Sequence, residues 1–182
     1  MKRTPITIVA VMLFAVVAGC TPDSGQQTPT PEPVMSTPTP TPTPQWTEEE
    51  QAAIDAVQNY LEVWTSISQN LQTADWNAIR DVSSDPAASE ALSVWAQWNQ
   101  NGWHLEGGPM FIPDYVNRGG LDALGQRYHV HGCFSITDGY LLDINGNRIT
   151  DRGTERGTAD YLVLKGSSQY LVLEDNPEDE PC

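Results

Sequence analysis

The chain has 182 residues, with 24 acidic side chains against nine basic ones and a formal charge of −15 at pH 7. That balance argues against a nucleic-acid partner, because the phosphate contribution to binding needs a basic face.

At the amino end, Lys2 and Arg3 are followed by an apolar run from Ile6 to Val17. About a dozen apolar residues is the length of a secretory signal, and too short to cross the hydrocarbon as a helix. The run closes on Val17-Ala18-Gly19-Cys20, with small residues directly before a cysteine thiol. This stretch resembles the lipobox of a bacterial lipoprotein signal peptide. The resemblance implies removal of residues 1–19, lipidation of Cys20, and anchoring in the bilayer at the extracytoplasmic face of the cell membrane. Two acyl chains hold firmly, since each buried methylene contributes about 0.8 kcal/mol and one chain alone is marginal. Loss of Lys2 and Arg3 leaves seven basic residues and moves the formal charge from −15 to −17. Anionic headgroups repel such a domain as a whole, so its attachment rests on lipid.

Residues 20–45 hold the lipidated cysteine and a linker dominated by alternating threonine and proline from Thr28 to Pro44. This composition cannot bury enough apolar surface to offset ordering, and it reads as a stiff, disordered spacer. In polyproline II geometry its 25 residues reach up to roughly 75 Å. Glycosylation of the threonines is open at this level.

Residues 46–182 are of a size for one domain with a single core. Thr47-Glu48-Glu49-Glu50 has the spacing of a capping box, with acids near the positive end of the helix dipole. Ile54, Val57, Leu61, Trp64, Ile67 and Leu71 then recur every three or four residues, which predicts a helix of about 24 residues with one apolar face. Thr73 to Ile79 predicts a short second helix. Pro86, followed by Ala88, Leu92, Trp95 and Trp98, predicts a third helix running to Asn101-Gly102.

From Trp103 the helical period disappears and glycine pairs punctuate the chain at Gly107-Gly108 and Gly119-Gly120. Met110 to Val116 reads as a short strand. Tyr128, Val130, Phe134 and Ile136 alternate with His129, His131, Cys133, Ser135 and Thr137, the pattern of a half-buried strand. Asn145-Gly146 between Tyr140–Ile144 and Arg148–Thr150 predicts a hairpin. Thr158–Lys165 and Gln169–Glu174 read as two further strands, and an acidic tail ends in Cys182. Helices followed by antiparallel strands argue an α+β fold. In element order, in the segment Asp75-Trp76-x-x-Ile79 and in late strand spacing, residues 47–175 resemble the NTF2-like (SnoaL-like) domain of nuclear transport factor 2, ketosteroid isomerase and the polyketide cyclases. The resemblance implies three helices over the concave face of a curved antiparallel sheet, with a pocket between the layers.

If Cys20 carries lipid, Cys133 and Cys182 remain, and an even count outside the cell favours a disulfide. It would close a loop of about 50 residues and stabilise the domain by about 4 kcal/mol in the chain-entropy account. Trp64, Trp95, Trp98, Tyr128 and Tyr161 are candidate pocket-lining residues, since pockets are largely aromatic, although core packing explains them too. No catalytic residue is assigned. His129 and His131 sit on the polar strand face, and Asp143 and Asp160 lie opposite their apolar neighbours. No metal or cofactor is implied: Asp143 to Asn147 opens like a calcium loop but lacks its sixth-position glycine and final glutamate. Arg148, Arg152 and Arg156 are the one basic concentration along the chain, and the segment from Glu174 to Glu180 reads as a solvated acidic end. The expectation is a non-enzymatic, membrane-anchored lipoprotein that binds a small apolar ligand or an envelope protein. An isomerase- or cyclase-type enzyme, and a structural assembly module such as a homodimer paired through its sheet, are the alternatives.

Overall fold

The computed structural model describes residues 45–121, 123–136, 139–149, 156–178 and 180–182, which belong to one compact unit. The expected signal peptide, Cys20 and the expected linker to residue 44 lie outside the described residues, as do Thr137, Thr150 and Arg152. Helix α1, Glu48–Gln69, starts at the expected capping box: the Thr47 hydroxyl accepts from the Glu50 amide, and Glu50 Oε2 accepts from the Thr47 amide at 2.8 Å. Its buried face carries Ile54, Val57, Tyr60, Leu61 and Ile67. The second helix is a 3₁₀ turn, Trp76–Asp81, capped by the Asp75 carboxylate on the Asn77 amide. Helix α2, Ala87–Asn101, ends at Gly102 in the left-handed conformation, where glycine has no Cβ penalty.

Among the described residues six strands follow: β1 His104–Glu106, β2 Met110–Leu121, β3 Gln126–Ser135, β4 Tyr140–Leu142, β5 Arg156–Lys165 and β6 Tyr170–Glu178. Four form an open antiparallel sheet in the order β2-β3-β5-β6, while β1 and β4 pair in a separate two-stranded ribbon. Helix α1 packs against β2, β3, β5 and β6, and α2 against β6 and the 3₁₀ turn. The fold is therefore α+β, with three helical segments among the described residues. Among the described residues no helix is long and apolar enough to cross a membrane.

Two expectations change. Strand β2 runs five residues past Val116, because Gly119-Gly120 forms an irregularity in its pairing with β3 rather than ending it. The expected Asn145-Gly146 hairpin is present in short form: the Asp143 amide donates to Asn147 O and the Ile149 amide to Leu141 O, each at 2.9 Å, around an antiparallel Leu142–Arg148 bridge. The Asp143 carboxylate braces the turn by accepting from the amides of Asn145 and Asn147, each at 2.8 Å. On its other edge β4 pairs with β1, a three-residue strand too short to leave a pattern in the sequence. Finally, the acidic tail is partly strand: β6 continues to Glu178 along β5.

Cys133 on β3 and Cys182 form a disulfide, with Cα atoms 5.7 Å apart, that holds the chain end against the sheet. Beside it the Thr158 amide donates to Glu180 O at 2.9 Å. The interior is aromatic. Trp95 is 0% exposed, and its indole N–H donates to the buried Ser68 hydroxyl at 2.8 Å. Trp64 and Trp76 pack on Trp95, and Trp98 packs edge-on against Trp64 at 5.7 Å.

Trp95→Ala is expected to cost about 3–5 kcal/mol of unfolding free energy in urea, through lost burial and the cavity left behind. Ser68→Ala, which leaves the indole N–H unpaired, is expected to cost about 1–3 kcal/mol. Equal, small effects would mean the cluster is loosely packed.

Candidate functional site

Where α1 crosses β5 and β6, three polar groups meet inside otherwise apolar packing. Tyr60 is on the buried face of α1, at helical spacing from Val57 and Leu61, and its hydroxyl donates to Asp175 Oδ2 on β6 at 3.2 Å. Tyr161 on β5 pairs directly with Asp175, 1% exposed, and its hydroxyl shares the same carboxylate. The rings of Tyr60 and Tyr161 meet edge-on at 6.4 Å, and Phe111 closes on Tyr161 at 5.2 Å.

A bulge puts the carboxylate there. Val163 pairs with Val172 but Leu162 pairs with Glu174, so Leu173 is an extra residue in β6. Val172 and Asp175 are three apart, and in a regular strand they would face opposite sides. The inserted residue turns both toward α1. Simple alternation from Val172 aims Glu174 inward instead, which is why Asp175 escapes a sequence reading. Tyr60 could have been found from its place on the helix face, but not its partner.

Burial pushes the Asp175 carboxyl up to about 6, against the two tyrosine hydroxyls, which favour the anion, and with the Glu90 charge on α2 adding to the rise. Burial first, and then the Asp175 charge, drives both tyrosines well above their ordinary range. The site is thus a carboxylic acid that titrates near neutrality, held by two hydroxyls that stay protonated.

A second polar knot ties the amino end of α1 to the sheet. Tyr128, 1% exposed, donates to Glu49 Oε2 at 2.7 Å, while Lys165 Nζ binds Glu49 Oε1 at 2.5 Å. Arg118 approaches the same carboxylate at 4.0 Å. These hydrogen bonds, with Lys165 foremost, hold the Glu49 carboxyl below its usual range, and burial with the Glu49 bond pushes the Tyr128 hydroxyl up to about 12.

The structure thus distributes the candidate pocket residues over three places. Trp64, Trp95 and Trp98 join in the aromatic cluster over α2, Tyr128 belongs to the Glu49 knot, and Tyr161 joins Asp175. Two surface grooves have other linings. One, of about 370 Å³, runs along α1 from Gln58 to Gln69 opposite Pro109 and Phe111. The other, of about 290 Å³, surrounds the disulfide with Ile112, Asp114, His131 and Thr158. His129 lies exposed beside Asp160, its ring nitrogen 3.2 Å from the carboxylate. Among the described residues no three of His, Cys, Asp and Glu are gathered to hold a metal.

No protein-family model and no curated protein matches this chain. Among solved structures it is similar to the crystal structure of the intermembrane space region of the chloroplast protein ARC6, at 16% identity and a TM-score of 0.53. The match covers 70% of this chain and 95% of that one. At that identity the likeness speaks to fold alone.

Because Asp175 binds its proton more tightly folded than unfolded, its contribution to stability is complete below about pH 4 and is lost as pH rises through about 6. Asp175→Asn removes that dependence. Urea unfolding from pH 4 to pH 7 is expected to show wild type falling behind the variant by about 2 kcal/mol. A constant difference would mean that Asp175 titrates as an ordinary surface acid.

Proposed function

We propose that this chain is a lipid-anchored lipoprotein at the extracytoplasmic face of the cell membrane, and that its domain, an NTF2-like cone, binds a protein partner rather than catalysing a reaction. The sequence support for the anchor is Val17-Ala18-Gly19-Cys20 and the Thr/Pro spacer behind it. The observation that carries the binding half is the filled interior. Tyr60, Trp95, Tyr128 and Tyr161 take up the space between helices and sheet, so a small apolar ligand enclosed in the cone is the weaker choice. Recognition then falls to the groove beside α1. There Leu61, Pro109 and Phe111 are apolar, while Gln58, Thr65 and Gln69 offer amides and a hydroxyl, a mixture suited to an extended peptide.

One observation favours a second reading, an isomerase- or cyclase-type enzyme. Asp175 with Tyr60 and Tyr161 has the makings of an acid–base centre: a carboxyl titrating near neutrality beside hydroxyl donors for an enolate oxygen. Neither surface groove reaches it.

Intact mass of the protein purified from membranes is expected to begin at Cys20 with a diacylglyceryl addition, and Cys20→Ala is expected to move the protein to the soluble fraction. A chain starting at Cys20 without lipid sinks the anchor. For the groove, a photo-reactive residue at Glu62 is expected to give one discrete cross-linked product, reduced about tenfold by Ser66→Trp, which fills the groove from an exposed position. A product indifferent to Ser66→Trp rules the groove out. The enzyme reading expects exchange of solvent deuterium into the α-carbon of small cyclic ketones, lost in Asp175→Asn; no exchange by wild type removes it.

A further inference from the structure

We infer that the Cys133–Cys182 disulfide is a thiol–disulfide exchange site, at which an external thiol attacks Cys182 while Cys133 stays on the sheet as the thiol that later displaces it. The inference stands apart from both the α1 groove and the lipid anchor. Its basis is the unequal setting of the two sulfurs. Cys133 sits in β3, a strand paired on both sides, with Ile112 of β2 across one edge and Thr158 of β5 across the other. It is half-buried and cannot move away without breaking the sheet. Cys182 lies past β6, belongs to no strand and is exposed, as are Glu180 and Pro181 before it.

That segment is otherwise held lightly. Among the described residues, its polar contacts with the sheet are the Thr158 amide donating to Glu180 O at 2.9 Å and Cys182 Sγ resting 3.2 Å from Gly157 O. Neither contact belongs to the core. Cys133 alternates with the buried residues Tyr128 and Val130, so the disulfide lies on the sheet face turned away from α1. Opening it therefore frees residues 180–182 locally and leaves the aromatic interior packed. A path to the sulfurs is present as well. Both cysteines line the groove of about 290 Å³, together with Ile112 and Pro113 of β2 and Thr158 of β5. Disulfides exposed in this way are the ones that exchange.

In the exchange, an external thiolate forms a bond to Cys182 Sγ as the Cys133–Cys182 bond breaks, and Cys133 leaves as a thiolate that takes a proton from water. The product is a mixed disulfide on the freed segment. Cys133 then returns to Cys182 Sγ, expels the thiol and restores the starting bond. It is well placed to do so, because a short segment past β6 keeps the two residues together at an effective concentration on the order of millimolar. A partner with a second thiol diverts this return. Its second thiol attacks its own sulfur in the mixed disulfide, so the partner leaves oxidised by two electrons and Cys133 and Cys182 are left as thiols. A protein dithiol is thus the class of partner that the site fits.

The chain has three cysteines, so the full chain carrying Cys20→Ser keeps Cys133 and Cys182 alone for the test. Treated briefly with cysteamine in the absence of denaturant, quenched in acid and mapped by mass, it is expected to carry the adduct on Cys182 about tenfold or more over Cys133. Once cysteamine is removed, this chain should re-form its disulfide. A further Cys133→Ser change, with Cys182 loaded from cystamine, should keep the adduct about tenfold longer or more. Ser68→Ala, which weakens the core on the other side of the sheet, should leave the exchange rate within about twofold, because the opening is local. An adduct that favours Cys133, no adduct before denaturant is added, equal adduct lifetimes with and without Cys133, or a rate raised about tenfold by Ser68→Ala each overturns the inference.

Discussion

The apolar face of α1 lying across the sheet is the constraint on which the other features depend. Ile54, Val57, Tyr60, Leu61 and Ile67 are all buried along that seam, and each contributes about 1.5–3 kcal/mol relative to exposure. Polar contacts then fix the helix along its length. Glu49 holds its amino end to Tyr128 and Lys165, Tyr60 meets Asp175 near its middle, and Gln69 Nε2 donates to Gly107 O at 2.6 Å near its end. Apolar burial says which face is inward. The polar contacts set how far along the sheet the helix sits.

Placing Asp175 in this seam has an energetic cost. A carboxyl on the buried side must lose water, and the two tyrosine hydroxyls offset only part of that, which leaves it close to neutrality in its titration. A hydrophobic side chain would fill the same place without the penalty. Two buried tyrosines, however, need an acceptor for their hydroxyls, and Asp175 supplies one to both. The β6 bulge, the exposed end of the acidic tail and the disulfide follow in one short stretch, so the chain terminus changes from core component to tethered surface within a few residues.

Opposite edges of the sheet are treated differently. Strand β6 is covered along part of its outer edge, where Val172 exchanges hydrogen bonds with Val82 and Ser84. Strand β2 carries Met110, Ile112, Tyr115 and Leu121 exposed, interrupted by Pro113 and by two irregularities in its pairing. Proline and bulges of this kind discourage pairing with another strand.

Local rules made much of the fold legible in advance. The capping box at Thr47, the apolar period of α1, Pro86 and Gly102 around α2, and the alternation of β3 depend on residues a few positions apart, so their signals survive in the linear chain. So does the pairing of Cys133 with Cys182, which rests on arithmetic and compartment. The candidate sites were not legible in this way. Asp175 faces Tyr60 because one inserted residue in β6 reverses its side, and Arg118 and Lys165 meet at Glu49 only through strand register. Both effects are settled by pairing between strands far apart in sequence, where a single-residue shift turns every following side chain to the other face. Sequence alone therefore determined the kinds of elements and their order, whereas tertiary structure decided which carboxylate enters the α1 seam and which basic side chains meet Glu49, because strand register fixes both.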